Sequence, residues 1–409
     1  MINFRMLRVA DRSLFYSVCV LLLISILMIA STTYFSELKA GKDAFLFIKK
    51  QLGSITVGFI LMGIFSFIDY KRLKDFAPFL FVLTILLLLA GHFLGVSSMG
   101  AQRWIMLGPF SFQPSEIAKI VMIITLAAYF DKIKEKSSII ISLLITALPF
   151  LIVFKQPDLG TSIIIAALTL GMLIYTKNSP ILVVMIFTPL LSVLFRQNIY
   201  LWLLYLLVLW AFLYFSRVEI FDMAMIMAIN LAVGIALSIF WGMMKEYQRM
   251  RILTFLNPGL DPRGMGYHTL QSMIAVGAGG IFGKGLFHGT QTQLQFIPIQ
   301  HSDFIFSAIG EEFGLIGSVI VLSLFFNIIW RAIVISQEAE DFFGSLLAVG
   351  IAVLIGFHAF VNIGMTIGLL PVVGIPLPFV SYGGTSLIVN MAAIGILESI
   401  AMRRQRLIF

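Results

Sequence analysis

The sequence predicts an all-α polytopic membrane protein with about 10–12 transmembrane helices and a large extracytoplasmic loop carrying short helices. Of its 409 residues, 60% are hydrophobic and only 12% are charged, whereas a soluble domain carries about 25% charged residues. The mean hydropathy is +1.02. A chain this apolar cannot cover a water-facing surface, so lipid must be its solvent.

Apolar runs long enough to span a bilayer recur along the whole chain. They are too long and too continuously apolar for barrel strands, so helices are the structure that satisfies the backbone in lipid. The runs lie near residues 14–34, 51–68, 77–95, 115–130, 138–154, 160–176, 180–195, 199–215, 223–243, 303–330, 343–370 and 380–401. We expect one integral-membrane domain over 1–409, with an extra helix pair at approximately 180–215.

Loop charge predicts the orientation. Lys and Arg precede the first run and follow every second run, which puts these loops on one side if the spans alternate, and that side is the cytoplasm. Both termini are then cytoplasmic. The net charge of +8 is explained by this pattern, so we expect membrane lipid, and no nucleic acid, as a partner.

The predicted outer loop, approximately 244–302, departs from the charge rule. It carries five basic and two acidic residues, a net charge of plus three. An anionic ligand at the outer surface is the simplest requirement for such a loop. The alternative is that long loops translocate regardless of their charge.

An ionisable pair, Glu116 and Lys119, begins the fourth run. Pro114 suits the first turn of a helix, and three-residue spacing puts both side chains on one face. Ionisable residues inside a span usually face a cavity, which favours a functional site over a self-neutralising pair that only orients the helix. Trp104, just upstream, is explained equally well as an interfacial anchor.

A short charged turn, Lys155 to Asp158, separates the fifth and sixth runs. Asp158 is placed to cap the sixth helix. A charged turn between two apolar spans is equally compatible with a position in the cavity, and the sequence does not decide between the two interpretations.

The predicted outer loop carries Arg249 and Arg251 together with an isolated carboxylate, Asp261. A reaction with a phosphate leaving group would be arranged in this way, since cations hold the phosphate and a carboxylate takes a proton. Asp261 before Pro262 also suits a simple turn.

The histidines of the loop fit no zinc pattern, so we expect no structural metal. A divalent cation, Mg²⁺ or Mn²⁺, held by carboxylates and pyrophosphate is left open, and no other cofactor is expected. Residues 371–386 carry three prolines at a predicted outer boundary. Non-helical backbone there must be buried in protein or line a cavity.

Together these clusters resemble the SEDS family (shape, elongation, division and sporulation proteins). Several motifs in one order are far more specific than any single one. The matching stretches are Gly100–Ile105, Gln113–Lys119, Gln156–Thr161, Tyr247–Arg251, Asp261–His268, Gly283–Gly285, Gly289–Gln291, His301–Phe306, Val361–Gly364 and Pro371–Gly384. Residues 289–294 and the short N-terminal tail are more similar to RodA-type than to FtsW-type members.

The resemblance implies a peptidoglycan glycosyltransferase in the bacterial inner membrane, which polymerises lipid II for cell elongation and rod shape. It places the family's essential aspartate at Asp261, as general base or cation ligand. It also implies substrate or pyrophosphate binding by Glu116, Lys119, Arg103, Trp104, Arg249, Arg251, Lys155, Asp158, His301 and Asp303. The implied partners are lipid II, a class B penicillin-binding protein as transpeptidase, and other proteins of the elongation complex.

Two features depart from the family pattern. Members commonly have ten spans, whereas this chain has about twelve apolar runs. Members also usually have Glu where this chain has Ile299 or Gln300. Two other functions compete with the polymerase, namely a lipid II flippase and a non-enzymatic scaffold of the elongation complex. A flippase should present polar groups along the full membrane depth, whereas most charges here gather at the predicted outer ends.

Overall fold

The computed structural model describes residues 9–98, 101–107, 110–133, 139–177, 180–243, 246–256, 265–294, 296–297 and 300–404. The described chain is overwhelmingly helical. Its helices are α1 (Arg12–Lys39), α2 (Leu46–Phe67), α3 (Lys71–Leu94), α4 (Pro114–Ile133), α5 (Ile139–Lys155), α6 (Leu159–Lys177), α7 (Pro180–Phe195), α8 (Ile199–Phe215), α9 (Ile220–Met243), α10 (Glu246–Leu256), α11 (Met265–Ala278), α12 (Thr290–Gln293), α13 (Ile305–Gln337), α14 (Phe342–Thr366) and α15 (Gly384–Arg403).

Seven of the described helices are long and apolar enough to cross a membrane, and three more are apolar but shorter. The seven are α1, α2, α3, α6, α13, α14 and α15. The predicted fold class, an all-α multi-pass membrane protein, is confirmed. The expected number of about 10–12 spans stays a prediction.

A small antiparallel sheet, which the sequence does not predict, lies between α3 and α4. It consists of β1 (Val96–Ser98), β2 (Ala101–Leu107) and β3 (Phe110–Phe112), in the order β1-β2-β3. Trp104 pairs with Val96, and Ile105 pairs with Phe112. Because β3 leads directly into α4, the sheet fixes the start of the helix that carries Glu116 and Lys119.

Close packing between α2 and α15 depends on a glycine. A Cβ at Gly395 would lie 2.4 Å from the Met62 carbonyl oxygen, so no larger residue fits this crossing. Small residues at such crossings let helix backbones approach closely when lipid supplies no hydrophobic driving force. This packing places the N-terminal end of α15 beside α2.

Helix α13 is interrupted at Gly314, whose φ of 65° and ψ of −156° are not helical. The break leaves backbone groups of α13 without partners inside the helix, and the glycine-rich segment 279–286 forms hydrogen bonds with them. Leu315 N donates to the Gly280 carbonyl at 2.9 Å, and Lys284 N donates to the Glu311 carbonyl at 3.0 Å. The glycines of this segment therefore allow its backbone to approach the backbone of α13 closely.

The chain forms two compact units, Met1–Met172 with Thr254–Phe409, and Leu173–Leu253. In the smaller unit, Asn230 on α9 donates to the Thr188 hydroxyl of α7 at 2.9 Å and accepts from Tyr205 of α8 at 3.0 Å. Helices α7 and α8 occupy the segment where the sequence suggests an extra pair. The organisation as a single domain stays a prediction.

Candidate functional site

A polar cavity of about 160 Å³ lies in the larger unit. Its walls come from β2, the first two turns of α4 and α6, the interior of α14, and the non-helical segments before α13 and α15. The lining residues are Trp104, Gln113, Glu116, Lys119, Asp158, Thr161, Ile164, Ser302, Asp303, His358, Gly374, Ile375, Pro376, Tyr382, Gly383 and Ser386.

The Glu116–Lys119 pair lines this cavity. Lys119 Nζ lies 2.8 Å from Glu116 Oε2, and the two side chains are 1% and 5% exposed. Pro114 begins α4, so the carboxylate lies in the first helical turn, where the helix dipole stabilises negative charge. The prediction that both side chains share one face is confirmed by this contact.

His358 joins the pair from α14, and sequence reasoning missed it. Its Nε2 atom lies 3.1 Å from Lys119 Nζ, and its Nδ1 atom lies 3.4 Å from the Pro376 carbonyl oxygen. An ammonium group can only donate and a carbonyl can only accept. The two contacts therefore assign the neutral tautomer with the proton on Nδ1. A lone ionisable residue inside an apolar run was the available signal.

Asp158 combines the two roles that the sequence left open. Its carboxylate accepts from Thr161 N at 3.2 Å, which caps the start of α6. It also accepts from Gln113 Nε2 at 3.2 Å and from Thr161 Oγ1 at 3.0 Å. Because Asp158 lines the cavity, the same carboxylate caps a helix and faces the site.

Asp303 reaches the cavity from the segment that precedes α13. Its backbone carbonyl accepts from Asn362 Nδ2 at 2.9 Å, and the same nitrogen donates to the Ile375 carbonyl at 2.7 Å. Ser381 Oγ donates to the Ser302 carbonyl at 2.6 Å. These bonds tie the proline-rich segment to Asp303, and they agree with the expectation that this segment lines a cavity.

His301 lies beside the cavity rather than in its lining. Its ring packs at 4.8 Å from Phe47 and 5.6 Å from Tyr382, between ring centroids. Burial lowers the pKa of His301, and the Glu37 carboxylate partly offsets that effect. Burial also raises the pKa of Tyr382, which lines the cavity. Both side chains are therefore neutral at pH 7.

The other predicted binding residues are placed differently. Trp104 lines the cavity from β2, whereas Lys155 is exposed at the end of α5 and is absent from the lining. Arg249 belongs to the smaller unit, where its Nη2 donates to the Gly242 carbonyl at 2.7 Å. Arg103 and Arg251 lie in β2 and α10, but their side chains are outside the described part of the structure.

Asp261, the predicted catalytic residue, lies in 257–264, outside the described residues. Its role stays a prediction. The described lining residues include three carboxylates (Glu116, Asp158 and Asp303) and one ammonium group, that of Lys119. An anionic ligand in this part of the cavity would therefore meet Lys119.

A buried carboxylate in α13, that of Glu311, lies outside the cavity lining. Glu311, fully buried in α13, accepts from Lys284 Nζ at 2.9 Å and from the backbone nitrogens of Gln291 and Thr292 at 2.9 Å each. It thereby caps α12. Among the described residues, no three His, Cys, Asp or Glu side chains are grouped as metal ligands.

Comparisons with known proteins find relatives over most of the chain. The model of the cell cycle protein family FtsW, RodA and SpoVE matches residues 11–188 and 175–406. Peptidoglycan glycosyltransferase MrdB of Escherichia coli (strain K12) is 37% identical over 396 residues, covering 95% of this chain and 93% of the relative. Peptidoglycan glycosyltransferase RodA of Treponema pallidum (strain Nichols) is 36% identical over 390 residues, covering 87% and 89%.

A solved structure extends the likeness to the fold. A chain of a peptidoglycan synthase complex, described as coordinating polymerization and crosslinking, superposes with a TM-score of 0.70. It is 26% identical, and the match covers 97% of this chain and 98% of that one. The resemblance inferred from the motifs is thus confirmed, and this chain belongs to the FtsW, RodA and SpoVE family of cell cycle proteins.

Proposed function

We propose that this chain is a peptidoglycan glycosyltransferase that polymerises lipid II into glycan strands during cell elongation. The enzyme class and the elongation role predicted from the sequence are confirmed by relatives named peptidoglycan glycosyltransferase over most of the chain. The substrate, the site residues and the orientation are the parts that we add. One observation carries the site residues, namely the buried Glu116–Lys119–His358 group in a cavity lined by the family's motifs, and the orientation rests on the predicted topology.

The predicted topology supports a reaction on the extracytoplasmic side of the bacterial inner membrane. With cytoplasmic termini and alternating spans, the cavity is built from the outer ends of α4, α6, α14 and α15. Lys119 and His358 lie five and eight residues from those ends, which is no deeper than about two helical turns. This gathering of polar groups at one end suits a polymerase better than a flippase, which needs them along the whole depth.

The chemistry requires a cation for the leaving group and an acceptor for one proton. The acceptor sugar's 4-hydroxyl attacks the anomeric carbon of the donor, a β-1,4 bond forms, and undecaprenyl pyrophosphate leaves with the bonding electron pair. We assign Lys119 to the diphosphate, which its ammonium group would hold by charge-assisted hydrogen bonds. We assign the hydroxyl proton to Asp261, by resemblance, either directly or as ligand of a Mg²⁺ or Mn²⁺ ion.

We propose a class B penicillin-binding protein as the partner that crosslinks the new strands, within an elongation complex. The support is the solved complex described as coordinating polymerization and crosslinking. Both substrates are lipid-linked, so the membrane confines them to one plane and raises their effective concentration at the cavity.

The test is polymerisation of purified lipid II by the reconstituted protein, with and without its cognate transpeptidase. Wild type should yield glycan strands and Asp261→Ala none. Asp43→Ala is the matched control, because Asp43 is an exposed aspartate paired only with Lys49 among the described charges.

Each outcome decides between the functions. Equal polymer from wild type and a folded Asp261→Ala variant would remove Asp261 from the mechanism. If neither makes polymer even with the partner, transport of lipid II across liposomes would then identify a flippase. Absence of both activities would leave the scaffold.

A further inference from the structure

The Lys119 ammonium is held on two sides by the protein. It has three N–H donors. Within the described chain, one is directed at Glu116 Oε2 at 2.8 Å and one at His358 Nε2 at 3.1 Å. The third donor is left for a ligand in the cavity that Lys119 lines. A flexible lysine is thereby converted into a fixed charge.

His358 is suited to this task because it is fully buried and neutral. Its relative exposure is 0%. The Nδ1–H group faces the Pro376 carbonyl, which leaves the Nε2 lone pair for the ammonium. A protonated ring would have no acceptor to offer and would place two cations 3.1 Å apart.

A second carboxylate in place of His358 would serve the site less well. The described cavity already holds Glu116, Asp158 and Asp303 beside a single ammonium group. Another negative charge would oppose binding of an anionic diphosphate. A neutral acceptor orients Lys119 without neutralising the positive charge that the ligand needs.

We infer that His358 is a positioning residue, which aims the third N–H of Lys119 at the diphosphate of the lipid-linked donor. This inference rests on the proposed function. His358 touches Lys119 and the Pro376 carbonyl, so it acts on the substrate through the ammonium group. Pro376 lines the same cavity, and the imidazole therefore also fixes the spacing between α4 and the proline-rich segment.

Two substitutions separate positioning from packing. His358→Gln keeps an acceptor for Lys119 and a donor for the Pro376 carbonyl. His358→Leu keeps a similar volume without either group. Because His358→Leu removes a hydrogen bond to the charged Lys119 ammonium, we expect it to lower kcat/KM for lipid II by about 10- to 100-fold. His358→Gln should stay within about threefold of wild type.

Binding of undecaprenyl diphosphate gives a second readout. Its affinity should fall in His358→Leu and be restored in His358→Gln, measured at a temperature at which wild type and both variants remain folded. His92→Leu is the matched control, since His92 lies on α3 in contact with Phe93 and does not line the cavity.

The outcomes are distinguishable from failure of the proposed function. Wild-type protein that makes no polymer even with its cognate transpeptidase would refute the polymerase itself. An active wild type with an equally active His358→Leu would overturn the positioning role. Equal losses in the Leu and Gln variants would also overturn it, because they would show that the imidazole is needed for its shape alone.

Discussion

The Glu116–Lys119 pair gives the sharpest test of whether the cavity is functional or structural. Removing one partner of a buried pair leaves an uncompensated charge, which costs about 3–5 kcal/mol. Glu116→Gln should lie at the lower end, because Lys119 keeps the acceptor on His358. Lys119→Met should lie at the upper end, because the Glu116 carboxylate loses the partner that it has among the described residues.

The double variant separates charge balance from function. Glu116→Gln combined with Lys119→Met leaves no unpaired charge, so most of the stability should return. Polymerisation should remain absent in the double variant, since no ammonium is left for the diphosphate. Stability is measured by thermal unfolding in micelles, and activity by lipid II polymerisation of the same preparations.

An exposed pair serves as the control. Lys49 and Asp43 lie 2.6 Å apart, but their side chains are 67% and 45% exposed. Lys49→Met should therefore change the free energy of unfolding by no more than about 1 kcal/mol. If the double variant polymerises lipid II at the wild-type rate, the pair only orients α4 and our reasoning fails.

Two further predictions concern the edges of the cavity. Asp158→Asn keeps an acceptor for the α6 cap but removes the charge, so the thermal midpoint should hold while polymerisation falls. Asp158→Ala should in addition lose about 0.5–2 kcal/mol of stability. Full activity in the Asn variant would show that Asp158 only caps α6. Because burial lowers the pKa of His301, the folded state binds fewer protons than the unfolded state below about pH 6.5. The thermal midpoint should therefore fall as the pH drops through that value, and an unchanged pH profile in His301→Gln would contradict this assignment.

Several helices were predictable because lipid imposes a simple rule. Backbone groups in an apolar medium must be satisfied within the segment, so a continuous apolar run becomes a helix. Helices α7 and α8 begin and end where the runs 180–195 and 199–215 do. The small sheet of 96–112 was not predicted, because its strands are short and each is defined only by pairing with the adjacent strand.

Local sequence also determined which polar residues were worth attention, because a charge inside an apolar run is costly unless it has a partner. It fixed the shared face of Glu116 and Lys119 through their three-residue spacing. Only the tertiary structure decided that His358 reaches Lys119 and that Asp158 faces the cavity while capping α6. It also decided that Lys155 does not line the cavity. Spacing along one helix is a property of the chain itself, whereas contacts between α4, α6 and α14 exist only after the helices have packed.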